Sequence, residues 1–155
     1  MKVVKLIVTL VLMGLSLNSY ALSEPQKQLK SMLAEYKGQV IYLDFWASWC
    51  VPCRKSFPWM NEMQEKYDKQ GFKVITINLD VNKKDAIEFL EENSANFTVI
   101  YDPKGSIAKE FKLKGMPNSF MIGRDGKPKS AHVGFFDDKK PEYEEEIKSL
   151  LKLPN

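Results

Sequence analysis

Apolar residues recur at helical spacing over residues 24–37, EPQKQLKSMLAEYK, where Leu29, Met32, Leu33 and Tyr36 share one face. Pro25 stands near the start of this stretch and Gly38 follows as a stop. The next stretch, VIYLDFWA at 40–47, is a short apolar run rich in branched and aromatic residues, which predicts a buried strand. Asp44 is its one acid. Phe57, Met60, Met63 and Tyr67 return to helical spacing and lead to Gly71, with Pro58 placed where a kink is expected. FKVITINLD at 72–80 predicts a second buried strand, KKDAIEFLEEN at 83–93 a charged amphipathic helix, and FTVIYD at 97–102 a third strand. GSIAKEFKLKG at 105–115 reads as a short helix closed by glycine. Residues 118–135 read as two strands around an Asp125-Gly126 turn, and 141–153 as a last helix with Tyr143, Ile147, Leu150 and Leu151 on its buried side.

Strands alternating with helices predict an α/β fold: a central mixed sheet, parallel pairs covered by helices on both faces, and an antiparallel hairpin at one edge. No internal repeat, low-complexity tract or linker interrupts the pattern, so residues 22–155 read as a single domain.

Composition changes this picture little. An apolar share of 44% with 12% aromatics is that of a globular chain and argues against disorder. The first 21 residues read as a secretory signal: Lys2 and Lys5 form a basic start, Leu6 to Leu17 is predominantly apolar, and Ser19 and Ala21 sit at the −3 and −1 positions of a cleavage site. The alternative is an uncleaved membrane anchor, but that apolar stretch is 12 residues long where a spanning helix needs about 20. Cleavage would remove two lysines and no acids, leaving 21 basic against 20 acidic side chains. So balanced a charge offers no electrostatic case for nucleic acid or an acidic membrane surface. The expected compartment is oxidising, such as a bacterial periplasm, with a soluble mature form.

Both cysteines lie in FWASWCVPC at 45–53. A zinc site wants about four ligands, and the chain adds only His132, some eighty residues on, so no metal is expected. A structural staple would close so small a loop that it removes little chain entropy. A catalytic dithiol explains more. The pair falls at a strand-to-helix junction, which places Cys50 near a helix N-terminus, where unpaired N–H groups and the dipole favour a thiolate. Trp46 and Trp49 would shield the site, Pro52 would limit the loop, and Arg54 and Lys55 would add positive potential. His132 is expected on the hairpin surface, well away from this chemistry, and the acids of 142–146 on a solvated face near a helix start.

DFWASWCVPC followed by a helix, with KGMPNSF about sixty residues later, resembles the thioredoxin superfamily. VITINLD, the added helix and strand at 83–102, YKGQVIYLDFWASWC and YDPKGSIAKEFKLKGMP resemble its secreted TlpA-like branch, which includes the periplasmic reductases of cytochrome c maturation. The resemblance covers about residues 36–135. It implies a thioredoxin-like fold with an extra αβ insertion. Cys50 would be the exposed nucleophile and Cys53 the resolving thiol. Pro117 would be a cis-proline beside the disulfide, leaving the Met116 backbone free to pair with an extended substrate segment. Trp49, Pro52, Met116 and Pro117 would form the substrate edge. Asp44 stands where thioredoxins carry a buried carboxylate, which would take the Cys53 proton as the mixed disulfide resolves.

The chain departs from the family pattern at several positions. Thr76 stands where a lysine often accompanies the acid, Ser56 where many relatives have a glutamate, and Asn118 where threonine is usual. Residues 22–38 read as a helix where the branch usually opens with a β-hairpin. No cofactor is expected beyond the dithiol. Val51 and Pro52 bring no charge or donor to stabilise a thiolate, which predicts a reducing protein. The expected role is a reductase of disulfide-bearing partner proteins, apocytochrome c among them, fed by a membrane electron donor. An oxidase or isomerase is the second enzymatic reading. The reading from another class is a binding module with an apolar groove around Trp46, Trp49 and Met116.

Overall fold

The computed structural model describes residues 21–153. Helix α1 (Glu24–Glu35) starts at a capping box in which the Ser23 and Gln26 side chains satisfy each other's backbone N–H groups. Strand β1 (Val40–Trp46) is buried along its whole length, as its apolar run, broken only by Asp44, predicts. Helix α2 (Val51–Tyr67) runs unbroken through Pro58, whose ring faces solvent, and a short 3-10 turn then ends at Gly71 with φ 88°. Strand β2 (Phe72–Asn78), helix α3 (Lys83–Glu92) and strand β3 (Thr98–Tyr101) follow, and α3 and β3 are the added αβ unit. Helix α4 (Ser106–Glu110) precedes the hairpin of β4 (Asn118–Ile122) and β5 (Pro128–Val133), and α5 (Lys140–Lys152) closes the chain.

The five strands lie in the order β3-β2-β1-β4-β5. β3, β2 and β1 are parallel, while β4 runs antiparallel to both β1 and β5. This is the mixed α/β sheet of a thioredoxin-like fold. Alternation along β1 divides the core in two. Val40, Tyr42 and Trp46 pack with residues of α2, α3 and α5, among them Cys53, Phe57, Phe89 and Ile147. Ile41, Leu43 and Phe45 pack on the other face with Leu29 of α1 and Ile107 of α4.

One element is shorter than its sequence pattern predicts. The stretch at 105–115 is helical only over Ser106–Glu110. Lys112 takes φ 52°, its N–H bonds the Lys109 carbonyl, and the Leu113 N–H reaches back to Ala108. That is a Schellman ending, which stops the helix before Gly115 although no glycine occupies the left-handed position.

Candidate active site

Cys50 is the N-cap of α2, with extended φ −81° and ψ 93°, and it is joined to Cys53 in a disulfide with 5.3 Å between the α-carbons. The Cys50 N–H bonds Ala47 O at 3.0 Å, and the Cys53 N–H bonds Cys50 O at 3.0 Å, so the turn is held by its own backbone. The expected exposure of Cys50 is corrected: the residue is 4% exposed and Cys53 0%. Both cysteines belong to the packed cluster of Trp46 and Phe57, against which the half-buried Met116 also lies. Trp46 is likewise no part of a surface groove. It is 0% exposed, lies edge-on to Phe57 and donates its indole N–H to the Thr76 hydroxyl at 3.1 Å. Trp49 and Val51 are the exposed apolar residues here, each at 68%, and Pro52 is exposed beside them.

The Met116–Pro117 bond is cis. Pro117 is buried, and its carbonyl accepts the Gly134 N–H at 2.8 Å, which ties the loop before β4 to the end of β5. The positive potential expected of Arg54 and Lys55 is partly spent elsewhere. Arg54 lies over the Phe89 ring at 5.5 Å, and Lys55 stands 3.9 Å from Asp137. Ser56 is buried and donates to Cys53 O at 2.8 Å.

Asp44 is 1% exposed, between Tyr42 and Trp46 on the sheet face against which Cys53 packs. Its neighbour across β2 is Thr76, at the lysine position of the family pattern. Its Oδ2 has no hydrogen-bond partner among the described residues. Burial pushes the carboxyl well above the usual range, opposed only in part by a backbone hydrogen bond from Phe45. The Tyr42 phenol is raised too, by burial first and by the Asp44 charge second.

The hydropathy pattern does not single out Asp80, yet it builds the turn before Cys50. Buried at 3% exposure, it accepts the Ser48 N–H at 2.9 Å, the Ser48 hydroxyl at 2.9 Å and the Asn78 amide at 2.7 Å. The available signal was an acid closing an apolar strand, the same kind of signal that marks Asp44. His132 is also corrected. It is half-buried against Tyr143, with Nε2 2.8 Å from Glu146 Oε2. The acids of α5 divide likewise: Glu144 bonds Lys66 and Tyr67, and Glu146 bonds Ser130 and His132, whereas Glu142 and Glu145 are exposed. Among the described residues no group of three or more His, Cys, Asp or Glu side chains is placed to hold a metal.

The Redoxin family model matches residues 15–147. This chain belongs to the Redoxin family, in the TlpA-like branch of the thioredoxin superfamily. This Redoxin is 33% identical over 121 residues to the thiol-disulfide oxidoreductase ResA of Bacillus thuringiensis, covering 78% of this chain and 69% of that one. A solved structure from Chlorobium tepidum, assigned as a thiol:disulfide interchange protein DsbE, superposes with a TM-score of 0.75 at 51% identity, over 77% of this chain and 84% of that one. StoA of Bacillus subtilis superposes at 0.61 with 28% identity, over 70% and 82%. The Redoxin is thus a thiol-disulfide oxidoreductase with a Cys50–Cys53 pair, acting on disulfide-containing proteins.

Proposed function

We propose that this Redoxin is a periplasmic disulfide reductase of partner proteins, released from its signal at residues 1–21 and kept reduced by a membrane electron donor. The observation that carries the direction is the uncharged turn Val51-Pro52 between the cysteines, with Arg54 and Lys55 drawn toward Phe89 and Asp137. A thiolate with little stabilisation makes a less stable reduced form and a more reducing protein.

In this reading Cys50, capping α2, attacks the substrate disulfide and forms a mixed disulfide. Cys53 gives its proton to Asp44 and displaces the substrate from Cys50. Asp44 suits that step because burial raises its proton affinity and its Oδ2 has no other partner. Trp49, Val51 and Pro52 are exposed and Met116 packs against the cluster that holds both cysteines; with Pro117, the cis-proline of the family pattern, they would offer an apolar edge to an extended segment of the substrate. The likeness to the branch that includes the reductases of cytochrome c maturation makes apocytochrome c the first substrate class to try. Among the described residues no helix is long and apolar enough to cross a membrane. N-terminal sequencing of the exported protein separates the cleaved form from an anchored one.

The deciding experiment is the reduction potential, measured by thiol trapping in defined redox buffers. A value near or below about −250 mV is expected, on thioredoxin's side of the scale. A value near about −120 to −180 mV would place the protein with the oxidants and isomerases and overturn the direction.

A further inference from the structure

A row of polar side chains crosses the sheet beneath the disulfide helix. Asp44 stands opposite Ser119 of β4, and Ser119 stands opposite His132 of β5. Paired positions project to the same face, with β-carbons about 4.5–5.5 Å apart. The face in question carries Tyr42 and Trp46 and packs in one cluster with Cys53 of α2. Asp44 and Ser119 are 1% and 3% exposed, whereas the His132 side chain is 26% exposed. The row therefore runs from a dry acid to a wet imidazole. At the wet end, His132 Nε2 is 2.8 Å from Glu146 Oε2 and 3.4 Å from the Ser130 hydroxyl, which also bonds Glu146 Oε1. His132, Tyr143 and Glu146 line an open cleft of about 340 Å³ that Lys139 and Glu142 also border.

In the other direction the row closes. The Thr76 hydroxyl accepts from the Trp46 indole at 3.1 Å and donates to Thr98 O at 3.3 Å, and the next position across is Val99. A proton moving that way would meet a hydroxyl whose hydrogen is committed, then an apolar side chain.

An acid this deeply buried exchanges protons with bulk water only if some route connects the two. We propose that Ser119 and the His132–Glu146 pair form a proton path linking the Asp44 carboxyl to solvent at the β5–α5 edge. The inference rests on the reading that Asp44 receives the Cys53 proton. In that step the Cys53 thiol protonates Asp44, and the thiolate sulfur bonds Cys50 Sγ. The Cys50–substrate bond breaks, and the substrate sulfur leaves with the electron pair. The Asp44 carboxyl then passes its proton to the Ser119 hydroxyl, which releases its own toward the imidazole and Glu146. Rotation of that hydroxyl, or one bridging water, spans the gap. Histidine suits the exit because its two ring nitrogens can take a proton on one side and release it on the other. Tyr42 is an ionisable neighbour that shares the Asp44 side of the path, raised first by burial and then by the Asp44 charge, and lowered in part by a hydrogen bond with Ser119. Ser119 and His132 act through Asp44, as relay residues.

The test is a pH jump on the oxidised full chain, following the carboxyl stretch of Asp44 by time-resolved infrared and assigning the band by its loss in Asp44→Asn. Ser119→Ala and His132→Ala should each slow the relaxation by about tenfold while leaving its endpoints in place. Ser119→Thr, which keeps the hydroxyl, should relax at the native rate, and added imidazole should restore His132→Ala. A native rate in Ser119→Ala or His132→Ala, or slowing that neither rescue relieves, overturns the path. So does an Asp44 band that fails to titrate. Separately, native turnover in Asp44→Asn would remove the acid from the reaction while the pH jump still reports on the path, so the two failures are distinguishable.

Discussion

Asp44 is a carboxylic acid in a strand whose seven residues are all buried, with one oxygen left unpartnered. Its native proton affinity is raised by burial, so folding keeps the proton over a pH range where the unfolded chain has released it. Stability contributed by this group is full below the ordinary carboxyl value, about 4, and falls as pH rises toward the raised native value. Asp44→Asn removes that penalty. The variant should be more stable than the parent at neutral and alkaline pH, and the difference should vanish in acid. Denaturant unfolding at several pH values measures it, and equal stability across the whole range would show that Asp44 ionises without cost. The acid and the cysteines were legible in the sequence, because one charged residue in an apolar run and a closely spaced pair at a strand-to-helix junction are local features. The exposure of Cys50 was not, because burial depends on what packs above the residue.

Most elements follow from local rules, and their ends follow from particular bonds. Asp102, buried at the end of β3, accepts the N–H groups of Ser106 at 2.9 Å and Ile107 at 2.7 Å and so starts α4. The early stop of α4 lay outside the pattern, since a lysine rather than a glycine takes the left-handed turn. The turn into α2 depends on Asp80, whose carboxylate holds both the N–H and the hydroxyl of Ser48. Asp80→Ala should cost about 1–3 kcal/mol, the penalty for leaving buried donors without an acceptor. It should also slow the attack of Cys50 on a disulfide peptide, because the preceding turn loses its anchor. Unfolding and stopped-flow rates test the two effects separately. Native attack rates with lowered stability would confine Asp80 to a structural role.

At the far end of β4 from Pro117, Arg124 joins three segments. Its guanidinium donates to Gly38 O at 2.7 Å, to Gln70 O at 3.1 Å and to Leu151 O at 3.1 Å, tying the loops before β1 and β2 to the last turn of α5. Gly71 belongs to the same knot: its φ is 88°, and a β-carbon there would come within 3.1 Å of the guanidinium. Arg124→Ala should lower stability by about 2 kcal/mol, the scale of bonds to a charged donor, and leave the reduction potential unchanged. A shifted potential would show that this end of the sheet communicates with the disulfide. Sequence by itself determined the α/β alternation, the buried strands, the hairpin and the closely spaced cysteine pair, because hydrophobic period and residue chemistry act over a few neighbours. Tertiary structure decided what depends on partners distant in the chain. It withdrew Trp46 into the core, buried Cys50, set Asp80 under Ser48, and aligned Asp44, Ser119 and His132 across three strands. Strand register creates that row, and register is fixed by pairing between segments that no local pattern connects.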